Sequence, residues 1–516
     1  MRRRLLSVAV FFAGMTTLAI ELSASRLLGN VFGTSNIVWA NIIGLILVYL
    51  TAGYFLGGRL ADRSPHAQTF YRLMAWGAFT SGLVPLLAKP VLWHAARAVE
   101  QLSAAVMVGS FFTVLVLFSV PVTLLGCISP FAIRLAIRET DHAGRISGKM
   151  YAISTLGSIL GTFLPVLLFI PIIGTALTFL VFSVVLLLVA LVGLGFEDRK
   201  AAIRYALLPI LLILLTLLFA LGPIKDSKDQ VYEVESAYNY IQVLERDGVR
   251  YLMLNEGQGI HSVYAPGQEI TYGTWDYFLS APFFNRPPVE LGDVERLGIV
   301  GLAAGTIAKQ YTRVFGPIPI DGWEIDPEIV VVGREWFDMT EPNLHALVAD
   351  GRWGLAHSQF QYSVIGVDAY RLPYIPWHLT TKEFFQEVHD HLMEDGVVVI
   401  NVGRTPDDRR LIEAMVGTIQ SVFASVHVVD VPNTFNTLVY GTVQPTRPEN
   451  LVANELALES AGDSPVLVDV LHRTIANLQQ TPDSDIVFTD DRAPVELLTN
   501  SMVIRFVMGG NLSILR

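Results

Sequence analysis

Cysteine is almost absent from this 516-residue chain, in which Cys127 stands alone. It lies in an apolar segment, which excludes disulfides within the chain and any metal site built from cysteines. Charge is scarce too: Asp, Glu, Lys and Arg make up 16% of the residues, well under the roughly one quarter of soluble domains. That scarcity points to a membrane protein. The charge that is present sums to −11. No basic block with interleaved aromatics occurs, so nucleic acid is not an expected partner. Metal-ligand spacings, a P-loop and a nucleophile elbow are also missing. Metal hydrolysis, P-loop NTPase chemistry and serine-hydrolase chemistry therefore have no support here.

What the chain does have is apolar sequence, 52% of it, unevenly placed. Residues 1–222 read as a helical membrane domain and the rest as a soluble globular part, divided into a small β-domain at 229–285 and an α/β domain at 286–516. Stretches near 5–25, 36–57, 73–90, 104–127, 150–170, 174–195 and 204–222 are each about as long as a bilayer span requires. The stretch ending near 127 continues through Pro121 and Pro130 to Arg134, which predicts a kink. Glu21 and Arg26 stand where a signal peptide would carry small residues, so the first stretch reads as an anchor. The same two residues are candidates for an intramembrane polar site.

Lys and Arg cluster on one side of these spans, from Arg2, Arg3 and Arg4 through Arg59 and Arg63 to Arg199, Lys200 and Arg204. The positive-inside rule places the N-terminus in the cytoplasm, and seven spans would then put the soluble part outside. Whether one span is re-entrant stays open, and with it the side the soluble part faces. Localisation is multi-pass in the cell membrane. Gly53, Gly57 and Gly58, and again Gly157 and Gly161, recur at helical spacing and predict close helix packing. The run GGRLADR, Gly57 to Arg63, resembles the loop motif of major-facilitator transporters, and the region resembles half of such a fold.

The soluble part is organised around 296–326. An apolar run ends in the small-residue turn GLAAGT, holding Gly301 and Gly305; a helical segment follows, and a second strand-like run ends at Glu324. A glycine turn between strand and helix brings backbone to a ligand, and a carboxylate about 20 residues on can grip ribose hydroxyls. Before it, 229–285 reads as a small antiparallel sheet. After it, strand-like runs at 297–301, 318–324, 345–349, 363–368, 396–402, 426–431 and 436–442 alternate with helical segments near 305–314, 326–337, 380–394 and 407–424. This is a doubly wound α/β domain, whose ligands lie at the carboxyl ends of strands. Glu324, Asp350 with Gly351, and Asp368 end three successive strands there.

With these residues in place, the chain resembles the spermidine synthases, and in particular their membrane-bound relatives with an N-terminal multi-span region. The resemblance covers 229–445 well and the apolar half loosely. It implies a small β-domain before a methyltransferase-like fold, and transfer of an aminopropyl group from decarboxylated S-adenosylmethionine, or a related adenosyl sulfonium, to an amine. That nucleoside would be a co-substrate, with no permanently bound cofactor and no metal. The resemblance assigns Glu324 to the ribose, Asp350 and Gly351 to the adenine side, and Asp368 to the base for the attacking amine. Tyr238 and Asn239, with Gln258 and His261 on the next loop, fall near the implied substrate tunnel, and Trp275 and Asp276 in its aromatic-His-Glu stretch.

Two departures stand out. Ala303 replaces an Asp that would meet the aminopropyl amine, and Arg371 replaces an Asp that would meet a diamine. A cation in a dication's place argues against putrescine in the usual pose. Asp276 could compensate for one lost carboxylate, while Arg371 suits an acceptor or donor bearing a carboxylate. The expected partners are a lipid bilayer and a small, polyamine-like or other amine acceptor; a homodimer is left open. The alternatives are a polyamine or nucleoside transporter or sensor without turnover, and an S-adenosylmethionine-dependent methyltransferase.

Overall fold

The computed structural model describes residues 2–32, 36–101, 105–137, 142–220, 227–255, 259–370, 374–462 and 464–508. They form two compact units, Met1–Asp226 with Glu235–Tyr240, and Ser227–Val234 with Ile241–Arg516.

The first unit is built of helices. Among the described residues, five helical stretches are long and apolar enough to cross a bilayer: Arg4–Gly29, Val38–Arg63, Gly109–Ala136, Ala143–Glu197 and Arg199–Phe219. The fourth breaks at Gly174, whose φ of 76° is not helical, so it holds two of the expected stretches. The stretch expected at 73–90 is divided between shorter helices, Ala67–Gly82 and Val84–Gln101. The expected break near the prolines falls at Cys127, between helices Ala105–Gly126 and Ile128–Ala136. Pro130 sits in the first turn of the latter helix, where a missing N–H has no intrahelical partner to lose.

Glycines decide where these helices touch. A Cβ added to Gly157 or Gly161 would lie 2.0 Å from the carbonyl oxygen of Phe11 or Met15, so the helix Ala143–Leu164 meets Arg2–Phe32 backbone to backbone. Gly53 and Gly57 meet the backbone of Thr123 and Cys127 in the same way, at 2.4 and 2.5 Å. Gly58 meets nothing within 4 Å and so plays no part in this packing. Such contacts let van der Waals packing replace the hydrophobic effect inside a bilayer.

The second unit carries two sheets. The smaller has the order β1 (Gln230–Glu235), β2 (Tyr240–Arg246), β3 (Val249–Leu254), β4 (Ile260–Tyr264). Its apolar side chains Ile241, Val243, Leu252 and Leu254 cluster with Ala304, Ile329, Val332 and Phe337. It therefore lies on the helix Pro327–Trp336 and on the turn that precedes the helix Thr306–Phe315. The larger sheet contains β5 (Leu297–Val300), β6 (Ile320–Glu324), β7 (Leu344–Val348), β8 (Tyr362–Val367), β9 (Leu392–Gly403), β10 (Ser425–Asp430), β11 (Asn436–Thr442) and β12 (Leu478–Gln479). Their order is β12-β10-β11-β9-β8-β5-β6-β7. The run β7-β6-β5-β8-β9 is parallel, and β11, β10 and β12 add antiparallel to it.

This is the doubly wound, methyltransferase-like arrangement. Every residue of β5, β6 and β8 is buried, as parallel strands covered on both faces require. The chain moves outward from β5 to β6 and β7, then returns to the other side of β5 for β8 and β9. The order reverses between β5 and β8, and in sheets of this kind ligands bind at the carboxyl ends of the strands at that point. Sequence pattern left unassigned the buried 3-10 stretch Thr274–Phe284 and two late helices, Pro448–Ala461 and Pro465–Ala476.

Candidate functional site

The turn after β5 is built for tightness. Gly301 has φ +90°, and a Cβ there would lie 2.7 Å from the backbone of Ala369, so only glycine lets the ends of β5 and β8 close on each other. Gly305, at φ +83°, opens the following helix. Ala303 holds φ +48° despite its methyl group, a strain of about 1–2 kcal/mol.

The amides of this turn are already partnered. Gly301 and Leu302 donate to the Trp323 carbonyl, both at 3.0 Å, and Gly305 donates to Leu302. Ala303 donates to the Glu324 carboxylate at 2.9 Å, and Ala304 to the Ser262 hydroxyl at 3.0 Å. A dinucleotide pyrophosphate is held by free amides at such a turn. Five consecutive occupied amides suit a nucleoside without phosphates instead.

Glu324 ends β6 and is 7% exposed. Its two oxygens accept from Ala303 and Asp326, at 2.9 and 3.1 Å, which leaves each oxygen a further lone pair. Burial pushes its pKa up to about 7 against these hydrogen bonds. A carboxyl whose pKa rises on folding binds its proton more tightly in the folded state. Its contribution is therefore most favourable below the ordinary pKa of 4.5 and is lost as pH rises through about 7. The term is on the order of 3 kcal/mol. Thermal midpoints from pH 5 to pH 8 should show this downward component in the native protein and lack it in Glu324→Gln. Equal slopes in the two proteins would remove Glu324 as its source.

Asp350 caps the helix Gly351–Ala356, accepting from the Trp353 N–H at 3.0 Å, and meets His378 Nε2 at 3.3 Å. The His378 contact, with the capped amide, holds its pKa below the usual range. A Cβ on Gly351 would fall 2.5 Å from Val300 Cγ1, so this end of β7 also closes on β5. Arg352 follows, bonded to Glu387 and, through both terminal nitrogens, to Asp490 of the late FTDD run. Asp490 thus braces the helix Gly351–Ala356.

Asp368 follows β8, its N–H bonded to the Val300 carbonyl at 2.9 Å. Its carboxylate is clamped: Trp275 Nε1 donates to one oxygen at 3.0 Å and Asn401 Nδ2 to the other at 2.9 Å. Burial raises its pKa, and the two donors pull it partly back. Sequence reasoning expected Trp275 and Asp368 at the site and missed Asn401. The available signal was one polar residue in the apolar run VVVINVG at a strand's carboxyl end.

Several expected residues have other partners. Asp276 is fully buried and accepts from Thr271 N, Thr271 Oγ1, Gln310 Nε2 and Arg473 Nη2. It is a structural anchor rather than a substitute for the missing carboxylate. Tyr238 and Asn239 belong to the first unit, where Arg26 donates to the carbonyl of Tyr238 at 3.1 Å and to that of Ser236. Both their amides donate to the Ser236 hydroxyl. His261 lies on β4, where burial pushes its pKa down to about 4 and leaves the ring neutral. Gln258 and Arg371 lie outside the described residues.

No family model matches the chain. It is similar to a probable polyamine aminopropyl transferase of Bifidobacterium longum, 32% identical over 282 residues, covering 52% of this chain and 61% of that protein. The chain thus spans about three fifths of that relative. It is also similar to polyamine aminopropyltransferase 2 of Aquifex aeolicus, 23% identical over 471 residues, covering 87% of this chain and 90% of the relative. That match is too long to lie within the second unit alone. Among solved structures, a probable spermidine synthase from Corynebacterium glutamicum aligns with a TM-score of 0.39 at 20% identity, covering 49% of this chain and 97% of that one.

Proposed function

We propose that this protein is a membrane-anchored alkyltransferase of the aminopropyltransferase type, acting on an amine with decarboxylated S-adenosylmethionine or a related adenosyl sulfonium as co-substrate. The observation that carries this reading is the clamped carboxylate of Asp368 at the switch point, one strand from the occupied turn and two from Glu324. Similarity to polyamine aminopropyltransferases supports it.

Glu324 would accept from the ribose hydroxyls through its remaining lone pairs, and Asp350 would border the adenine. When bound, the sulfonium supplies a carbon that needs alignment and no further activation. Asp368 orients the acceptor amine and takes its proton; the nitrogen lone pair forms the new N–C bond as the C–S pair leaves with sulfur. Ala303 offers the donor's amine no carboxylate, so this site holds its donor by the nucleoside end. The helices of the first unit serve as a multi-pass anchor.

Calorimetric titration of the full-length protein with decarboxylated and intact S-adenosylmethionine and with methylthioadenosine tests this reading. Micromolar binding is expected, weakened at least tenfold in Asp350→Ala. Failure of all three to bind would overturn it.

A further inference from the structure

We propose that a cavity at one end of the helical unit, lined by Glu197 and Tyr71, binds an ammonium group carried on an apolar stem. The site stands apart from the transferase reading above and does not depend on it.

The cavity measures about 360 Å³, within the roughly 300–1,000 Å³ usual for small-molecule pockets. It forms where four helices begin or end. Leu6 lies in the first turns of Arg2–Phe32, and Gln68 and Tyr71 in those of Ala67–Gly82. Leu135 stands at the end of Ile128–Ala136, and Phe196 and Glu197 at the end of Ile170–Glu197. Gly193 gives Tyr71 its place: a Cβ there would lie 2.2 Å from the ring, so any larger residue would displace it. Tyr71 is 5% exposed, and its hydroxyl has no hydrogen-bond partner among the described residues. A buried tyrosine hydroxyl usually finds one. Tyr71 lines the cavity, and the cavity is the space such a partner would fill.

The other polar groups of the wall select the sign of that partner. Glu197 lines the same cavity, close enough for its charge to act on the Tyr71 hydroxyl. Gln68 donates through Nε2 to Asp198 and keeps its oxygen as an acceptor. No Lys or Arg lines the cavity. The nearby Arg72 and Arg134 are paired with Asp198 and Asp62, at 3.5 and 3.0 Å. One carboxylate and two neutral acceptors complement a cation with several N–H groups, and the rings of Tyr71 and Phe196 suit its charge. Leu6 and Leu135 favour an apolar stem behind it. A free alkylamine and the headgroup of an aminolipid both present this chemistry.

The test titrates full-length protein in detergent with n-hexylamine, 1-hexanol and hexanoate. The native protein should bind hexylamine, which is protonated at neutral pH, at least tenfold more tightly than the other two. Glu197→Gln and Tyr71→Phe preserve side-chain size and should each lose about tenfold of that affinity. Asp368→Asn should keep it, which separates this cavity from the amine site proposed in the second unit. Repeating the titration in phosphatidylcholine nanodiscs, with and without phosphatidylethanolamine, distinguishes the two sources. Competition by phosphatidylethanolamine assigns the site to the lipid headgroup, and undiminished hexylamine affinity assigns it to a free amine. Equal affinity for the three probes, or native hexylamine affinity in either cavity variant, would overturn the proposal.

Discussion

Replacing Asp368 with Asn should cut turnover by about 10²- to 10⁴-fold, the usual worth of a positioned general base, and leave nucleoside affinity within a fewfold of native. The carboxylate accepts from Trp275 Nε1 on one side and Asn401 Nδ2 on the other. An amide of the same shape has one oxygen and one NH2, so one of those two donors would face another donor. The Asp368→Asn variant therefore loses the proton acceptor and also half of the clamp that orients the side chain. Glu324 and Asp350 end other strands and keep their own partners, which is why binding of methylthioadenosine should survive. Single-turnover rates beside calorimetry would separate the two effects. A variant with full turnover would show that Asp368 does not take the proton.

The largest stability effect is expected from Arg473→Ala. Asp276 is 0% exposed and meets Arg473 Nη2 at 3.1 Å, its one cationic partner among the described residues. Removing one member of a buried pair leaves an uncompensated charge and costs about 3–5 kcal/mol. In a unit of this size the thermal midpoint should fall by roughly 10 °C. The guanidinium also lies over the rings of Tyr272 and Tyr277, at 5.4 and 5.6 Å, and those contacts go as well. Asp276 is next to Trp275, so the loss should reach the site: with the segment loosened, the indole no longer holds Asp368 in place. Melting of the full-length protein in detergent, with residual activity read below the new midpoint, would show both. An unchanged midpoint would mean that the Thr271 and Gln310 donors suffice for Asp276.

Several site elements were legible because they follow from local rules. Small residues in GLAAGT predicted a tight strand-to-helix turn, and Gly301 occupies a backbone conformation and a close approach that only glycine tolerates. Acids were expected at strand ends, and Glu324 ends β6 while Asp350 and Asp368 follow β7 and β8. Glycines at helical spacing predicted close crossings, and Gly53, Gly57, Gly157 and Gly161 make them. Gly58 directly follows Gly57, about 100° further round the helix, so it lies off that face and meets nothing within 4 Å.

Partner choice was a different matter. Asp276 reads in sequence as a spare carboxylate beside the site, and its charge is taken by Arg473, 197 residues away. Asn401 reads as a stray polar residue in a strand, and the ladder between β8 and β9 makes it a partner of Asp368. Sequence alone determined periodicity, turn chemistry and which residue types end each strand, since these depend on backbone preferences within a few residues. Tertiary structure alone decided which donor reaches which carboxylate. A buried charge takes whatever partner the packed core presents, and that is settled by strand order and helix docking across the whole unit.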